Sequence, residues 1–142
     1  MKKYRIGYTS GVYDMFHIGH LNVLKNAKKL CDFLIVGVST DEVVEKNKNK
    51  KPIISFDDRC EIVRSIKYVD LVIPQTDYSI AGKIDAVIKH HINVVFVGSD
   101  WKGTKKWDEL EKELKQIHVD VVYLPHTDGI SSSQLRTAIR KK

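Results

Sequence analysis

His17 and His20 stand three residues apart at the end of the run Gly11-Val12-Tyr13-Asp14-Met15-Phe16-His17-Ile18-Gly19-His20. Upstream, Tyr4, Ile6 and Tyr8 form a strand-favouring stretch; downstream, Leu21, Leu24 and Ala27 follow at helical spacing. The run therefore predicts a strand-to-helix turn, where backbone N–H groups without intrahelical partners and the positive end of the helix dipole attract phosphate. Residues three apart in a first helical turn share a face, so both imidazoles can reach one ligand. Alone, two histidines near a turn would read as surface decoration or a metal pair. The flanking Gly11, Asp14 and Gly19 favour the phosphate chemistry.

Three further segments hold groups suited to phosphate. Residues 45–52 include Lys46, Lys48, Lys50 and Lys51 and read as a mobile basic loop closed by Pro52; the plainer alternative is a solvated charge run. Residues 97–103 end a strand candidate, where Gly98 permits close backbone approach and Asp100 and Trp101 are expected in a cleft. Otherwise Asp100 caps the next helix and Trp101 is core. Finally, Gly129 and Ile130 precede Ser131, Ser132 and Ser133, a turn whose N–H and O–H donors suit a second phosphate nest. An ordinary N-cap would need Ser131 alone.

The elements that must position these groups are legible as alternating short apolar runs and amphipathic stretches. Strand candidates fall at 4–8, 33–38, 71–73, 94–97 and 119–124, and continuous apolar runs of this kind suit a parallel sheet covered on both faces. Phe56, Cys60, Val63 and Ile66 make one helical stripe; Trp107, Leu110, Leu114 and Ile117 make another. Ser55, three residues before Asp58, resembles a capping box. The expected fold is α/β, a Rossmann-like doubly wound parallel five-stranded sheet with helices on both faces. Such sheets bind ligands beyond the carboxyl ends of their strands, which is where His17 and His20 fall.

At 142 residues the chain is expected to form one domain, 1–142. No apolar run is long enough to span a membrane, and the basic N-terminus lacks the apolar segment of a secretory signal, so a cytoplasmic location is expected. Cys31, read as a helix end, and Cys60, read as helix interior, have no ligand-spaced partners and are expected to be buried, reduced thiols. The net charge of +6 could serve nucleic acid, an anionic membrane or a polyanionic small molecule. Without aromatic platforms or a recognition-helix pattern, a phosphate-rich small substrate is the economical choice, with no nucleic acid and no membrane as partner.

The run Gly-x-[Phe/Tyr]-Asp-x-x-His-x-Gly-His resembles the signature of the cytidylyltransferases, and the likeness extends over about residues 4–136. The resemblance implies that His17 and His20 contact the nucleotide phosphates, and that Val12, Tyr13, Asp14 and Gly19 belong to the nucleotide site. Val12 stands where a Thr is usual. By the same likeness Lys48 faces the acceptor phosphomonoester and Lys50 the nucleotide, while Arg59, Lys83, Asp100 and Trp101 match substrate-site positions. Lys83 could instead be an ordinary surface lysine.

His126, Thr127, Gly129, Ile130 and the three serines resemble the family's Arg-Thr-Glu-Gly-Ile-Ser nucleotide segment. Arg136 completes an Ile-Ser-Ser-Ser-x-x-Arg pattern similar to that of adenylyltransferases. The implied reaction transfers CMP from CTP, with Mg²⁺, to an alcohol phosphate. Glycerol 3-phosphate is the expected acceptor, giving CDP-glycerol and pyrophosphate. ATP as donor, or phosphoethanolamine, phosphocholine or another polyol phosphate as acceptor, are the alternatives. A homodimer is expected from the resemblance alone.

Overall fold

Five apolar runs become five parallel strands, of which β2 is the most deeply buried and the edge strands β3 and β5 are half-buried. The computed structural model describes residues 2–125. Within them the order is β1 (Tyr4–Gly11), α1 (Ile18–Lys28), β2 (Cys31–Ser39), α2 (Asp41–Lys48), α3 (Phe56–Arg64), β3 (Leu71–Gln75), α4 (Ile80–Lys89), β4 (Val94–Gly98), α5 (Lys105–Gln116) and β5 (Asp120–Leu124). The sheet order is β3-β2-β1-β4-β5, and every paired neighbour is parallel. The expected doubly wound architecture is thus present.

Two cores flank the sheet. Leu24 and Ala27 of α1 and Cys60 and Val63 of α3 pack with Leu34, Val36, Val94 and Phe96 on one face. On the other, Val87 of α4 and Trp107, Leu110 and Leu114 of α5 pack with Tyr8, Ile35 and Val95. The chain leaves β1 for β2 and β3 on one side, then returns to place β4 on the other side of β1. That reversal opens a crevice at the carboxyl ends of β1 and β4. The histidine run follows β1 directly, and the Gly98–Trp101 segment follows β4.

Two sequence expectations need correction here. Cys31 does not end a helix; α1 stops at Lys28 and Cys31 opens β2, its thiol pointing back to the Ala27 carbonyl. Both cysteines are nevertheless buried and unbridged, as expected. Residues 45–52 are not a loop throughout, because α2 runs to Lys48. Thr40 caps that helix, Asp41 and Glu42 occupy its first turn and Lys46 and Lys48 its last, the arrangement that complements the helix dipole. Asn49 then turns left-handed at φ 54° and donates its N–H to the Glu45 carbonyl.

Candidate active site

The turn after β1 is built from strained backbone. Tyr13 and Met15 both adopt positive φ, at 57° and 49°. For residues with a Cβ this costs about 1–2 kcal/mol each, so the surroundings must over-determine it. They do so through the side chains of Tyr13 and Asp14. The Tyr13 ring is buried in the core and its hydroxyl bonds to Thr9. Asp14 is 1% exposed, and its two carboxylate oxygens accept the N–H groups of Ile53 and Ile54, each at 2.8 Å.

These two side chains are therefore turned into the protein and support the histidine turn from behind. Asp14 ties the histidine turn to the segment after the lysines. Asp14→Asn removes one of the two acceptors, so we expect a loss of about 1–2 kcal/mol in denaturant unfolding and faster amide exchange at Ile53 or Ile54.

His17 is the N-cap of α1 and uses an unusual version of the capping box. Its Nδ1 accepts the Gly19 N–H at 3.0 Å, while its own backbone N–H donates to Nδ1 of His20 at 3.1 Å. The rings stack at 3.9 Å between centroids, and Tyr13 and Phe16 contact His20 edge-on or tilted at 5.4 and 5.3 Å. Since each Nδ1 acts as an acceptor, each neutral ring carries its proton on Nε2. One device thus caps the helix, holds the rings together and sets both as Nε2–H donors. Burial pushes the His17 pKa down, and burial followed by the neighbouring His17 pushes His20 to about 4, against a smaller opposing effect of Asp14.

Both rings are accordingly neutral near pH 7. The His20 resonances are expected to titrate near pH 4 in an NMR experiment, with no transition near 6.5. An unfolded chain binds this proton near 6.5 and the folded chain only near 4. Between those values the unfolded state holds more protons, so His20 lowers stability as pH falls through that window.

Arg59 holds the frame together. It is fully buried, and its guanidinium donates to the carbonyls of Ile54, Val12 and Ser39 and to the Asp41 carboxylate, four hydrogen bonds of 2.6–2.9 Å. Its donors are directed to the ends of β1 and β2 and to the loop before α3, so Arg59 frames the site from within the protein. The Val12 carbonyl is likewise engaged by Arg59. Asp41, which sequence reasoning passed over, completes the ion pair and accepts the Phe56 N–H.

The remaining expected residues are placed as follows. Lys48 is the last residue of α2 and Lys50 follows the Asn49 turn; both are exposed. Gly19 lies in the first turn of α1. Asp100 and Trp101 form a short 3₁₀ turn after β4, and Trp101 is 53% exposed, so it is not core. Nor does Asp100 cap α5, because Thr104 does, accepting the Trp107 N–H. Lys83 lies on α4, its amino group over the rings of Tyr78 and Trp107. It borders a small cleft of about 70 Å³ with Tyr8, Gln75 and Asp77 at the carboxyl end of β3. His126, Thr127, Gly129, Ile130, Ser131, Ser132, Ser133 and Arg136 lie outside the described residues.

A buried polar chain, also missed from sequence, supports this cleft. Tyr78 donates to Ser39 Oγ at 2.8 Å, Ser39 to Gln75 Oε1 at 3.0 Å, and Gln75 Nε2 to Ser10 Oγ at 3.2 Å. It links the ends of β1, β2 and β3 on the side of the crevice that faces α4. The arrangement offers neutral N–H donors at a helix N-terminus, and Asp14 ties the same turn to the segment that follows the exposed lysines, a combination suited to stabilising charge on phosphates.

Comparisons with known proteins agree with this chemistry. A family model described as cytidylyltransferase-like matches residues 8–138. The chain is 42% identical over 128 residues to the glycerol-3-phosphate cytidylyltransferase of Bacillus spizizenii, covering 90% of this chain and 92% of that protein. It is 36% identical over 137 residues to the ethanolamine-phosphate cytidylyltransferase of Dictyostelium discoideum, covering 92% of this chain and 36% of that longer protein. Among solved structures, the lipopolysaccharide core biosynthesis protein of Thermoplasma volcanium superposes with a TM-score of 0.71 at 26% identity, over 89% of this chain and 98% of the other.

Proposed function

Because the chain belongs to the cytidylyltransferase-like family, we propose that it transfers CMP from CTP to glycerol 3-phosphate, releasing pyrophosphate and forming CDP-glycerol. The observation that carries this reading is the stacked histidine pair, fixed as two Nε2–H donors at the N-terminus of α1 beside the β1–β4 crevice. A phosphate oxygen of the acceptor attacks the α-phosphorus in line. The new P–O bond forms as the bond from that phosphorus to the β-bridging oxygen breaks, and pyrophosphate carries away the electron pair. The acceptor oxygen is already ionised, so no general base is required.

Catalysis then rests on positioning and on charge stabilisation. His17 and His20 donate to oxygens of the α-phosphate. Being neutral, they add hydrogen bonds without adding a charge that the site would have to desolvate. Lys48 serves the acceptor phosphate and Lys50 the nucleotide, and Lys83, Asp100 and Trp101 line the acceptor side. The segment bearing His126 and Arg136 is assigned to the nucleotide.

Mg²⁺ is assigned to the triphosphate as part of the substrate. Among the described residues no three His, Cys, Asp or Glu side chains gather as a metal cage. A homodimer is the expected assembly. No helix among the described residues is long and apolar enough to cross a membrane.

The test is pyrophosphate release and product mass with CTP or ATP against glycerol 3-phosphate, phosphoethanolamine, phosphocholine and ribitol 5-phosphate. CDP-glycerol as the preferred product supports the proposal. Turnover with ATP alone, or none with any pair, overturns it.

A further inference from the structure

Two aromatic rings from different elements converge on one side-chain cation. Lys83 Nζ lies 5.8 Å from the Tyr78 ring centroid and 5.6 Å from that of Trp107. Both rings are held independently of the lysine. The Tyr78 hydroxyl is anchored on buried Ser39, its carbonyl accepts from Lys106 Nζ at 2.6 Å, and Trp107 is packed into the core face of α5. The approach is tight on the third side as well. A Cβ at Gly82 would lie 2.7 Å from the Asp77 carboxyl, so the loop before α4 closes directly onto the turn that carries Lys83.

Faces of Tyr and Trp brought together in this way attract cations, and quaternary ammonium groups in particular. Here the chain fills the ring pair with its own ammonium, and Lys83 also borders the cleft it shares with Gln75 and Asp77 at the carboxyl end of β3. An acceptor with a cationic tail would find the ring faces taken and a like charge in place. One with a hydroxylated tail meets a hydrogen-bond donor instead. Burial, and then the neighbouring Lys106, push the Lys83 pKa down to about 8, with Asp77 opposing them, so the amine still carries its charge near pH 7.

We propose that Lys83, seated between Tyr78 and Trp107, selects the acceptor by charge, turning away alkanolamine phosphates and admitting neutral polyol phosphates. The inference rests on the reading of the site as one that transfers CMP to an alcohol phosphate. It assigns Lys83 a role beyond contact with the phosphate that all acceptors share. Specificity here comes from a repulsive element as much as from an attractive one.

The test compares kcat/KM for glycerol 3-phosphate and phosphocholine in the whole protein and in Lys83→Met, Lys83→Gln and Lys83→Arg. In the two neutral variants the preference for glycerol 3-phosphate is expected to fall at least about tenfold relative to phosphocholine, while Lys83→Arg keeps it. An equal loss for both acceptors would show a shared phosphate contact or a structural role and would overturn the proposal. A second readout does not depend on turnover. Titration with tetramethylammonium chloride, followed by the Trp107 indole resonances, is expected to show at least about tenfold tighter binding in Lys83→Met than in the parent protein. No gain in binding overturns the proposal. A parent protein inactive on every acceptor would instead count against the transfer reading, leaving the ring-pair result to decide the role of Lys83.

Discussion

Replacing His17 or His20 by alanine is expected to lower kcat at least about a hundredfold in each case, the scale for losing one preorganised donor to developing charge. The two positions are not equivalent in structure, and that allows the chemical role to be separated from the scaffolding role. His17 caps α1 through Nδ1, so His17→Ala also forfeits a helix cap, about 1 kcal/mol. Asparagine is a strong N-cap whose side-chain oxygen can take the Gly19 N–H, yet it places no donor where Nε2–H stands. His17→Asn is therefore expected to keep most of the stability and still lose the rate. Turnover at saturating CTP and acceptor, alongside a denaturant midpoint, reads both quantities. Folded variants with near-normal turnover would end the assignment of these rings to the α-phosphate.

The second large effect is on stability. Arg59→Leu leaves the carbonyls of Val12, Ser39 and Ile54 facing a dry side chain and strips Asp41 of its partner. Each buried acceptor left unpaired costs about 1–3 kcal/mol, so a loss of at least about 3 kcal/mol is expected. That is a large share of the roughly 5–15 kcal/mol by which domains are stable. Arg59→Lys is expected to recover only part of it, because a single ammonium cannot serve directions that a planar fork reaches. Urea unfolding measures the loss, and a change under about 1 kcal/mol would contradict the structural role given to this residue. Activity of whatever folds is expected to drop too, since the groups Arg59 gathers carry the histidine turn and the approach to the lysines.

Much of the fold was legible in the chain because the strands of a parallel sheet covered by helices read as largely unbroken apolar runs. The limits of α2 were not, since a lysine-rich run looks like a loop until its caps are weighed. Thr40, two acidic residues and a closing Asn were all available as signals. The burial of Arg59 was legible from its position. Phe56, Arg59, Cys60 and Val63 fall at i, i+3, i+4 and i+7, so the arginine sits in the apolar stripe and turns inward with it. Asp14 gave no such clue, because its partners are backbone N–H groups some forty residues away. The histidine pair was evident from spacing alone. The exchange of backbone and side-chain bonds that fixes its tautomers depends on the turn's geometry, and spacing does not encode it.

The bonds at Asn49 and Ile53 have a mechanical consequence. Asn49 is fastened to the end of α2, and Ile53 to Asp14 behind the histidines, so residues 50–52 are a bridge hung from two fixed posts. Three residues at full stretch extend only about 10–11 Å, and Pro52 stiffens one end. Lys50 therefore swings through a short arc, its far end moored to the same turn that carries the imidazoles. A tug on either end is felt at the other.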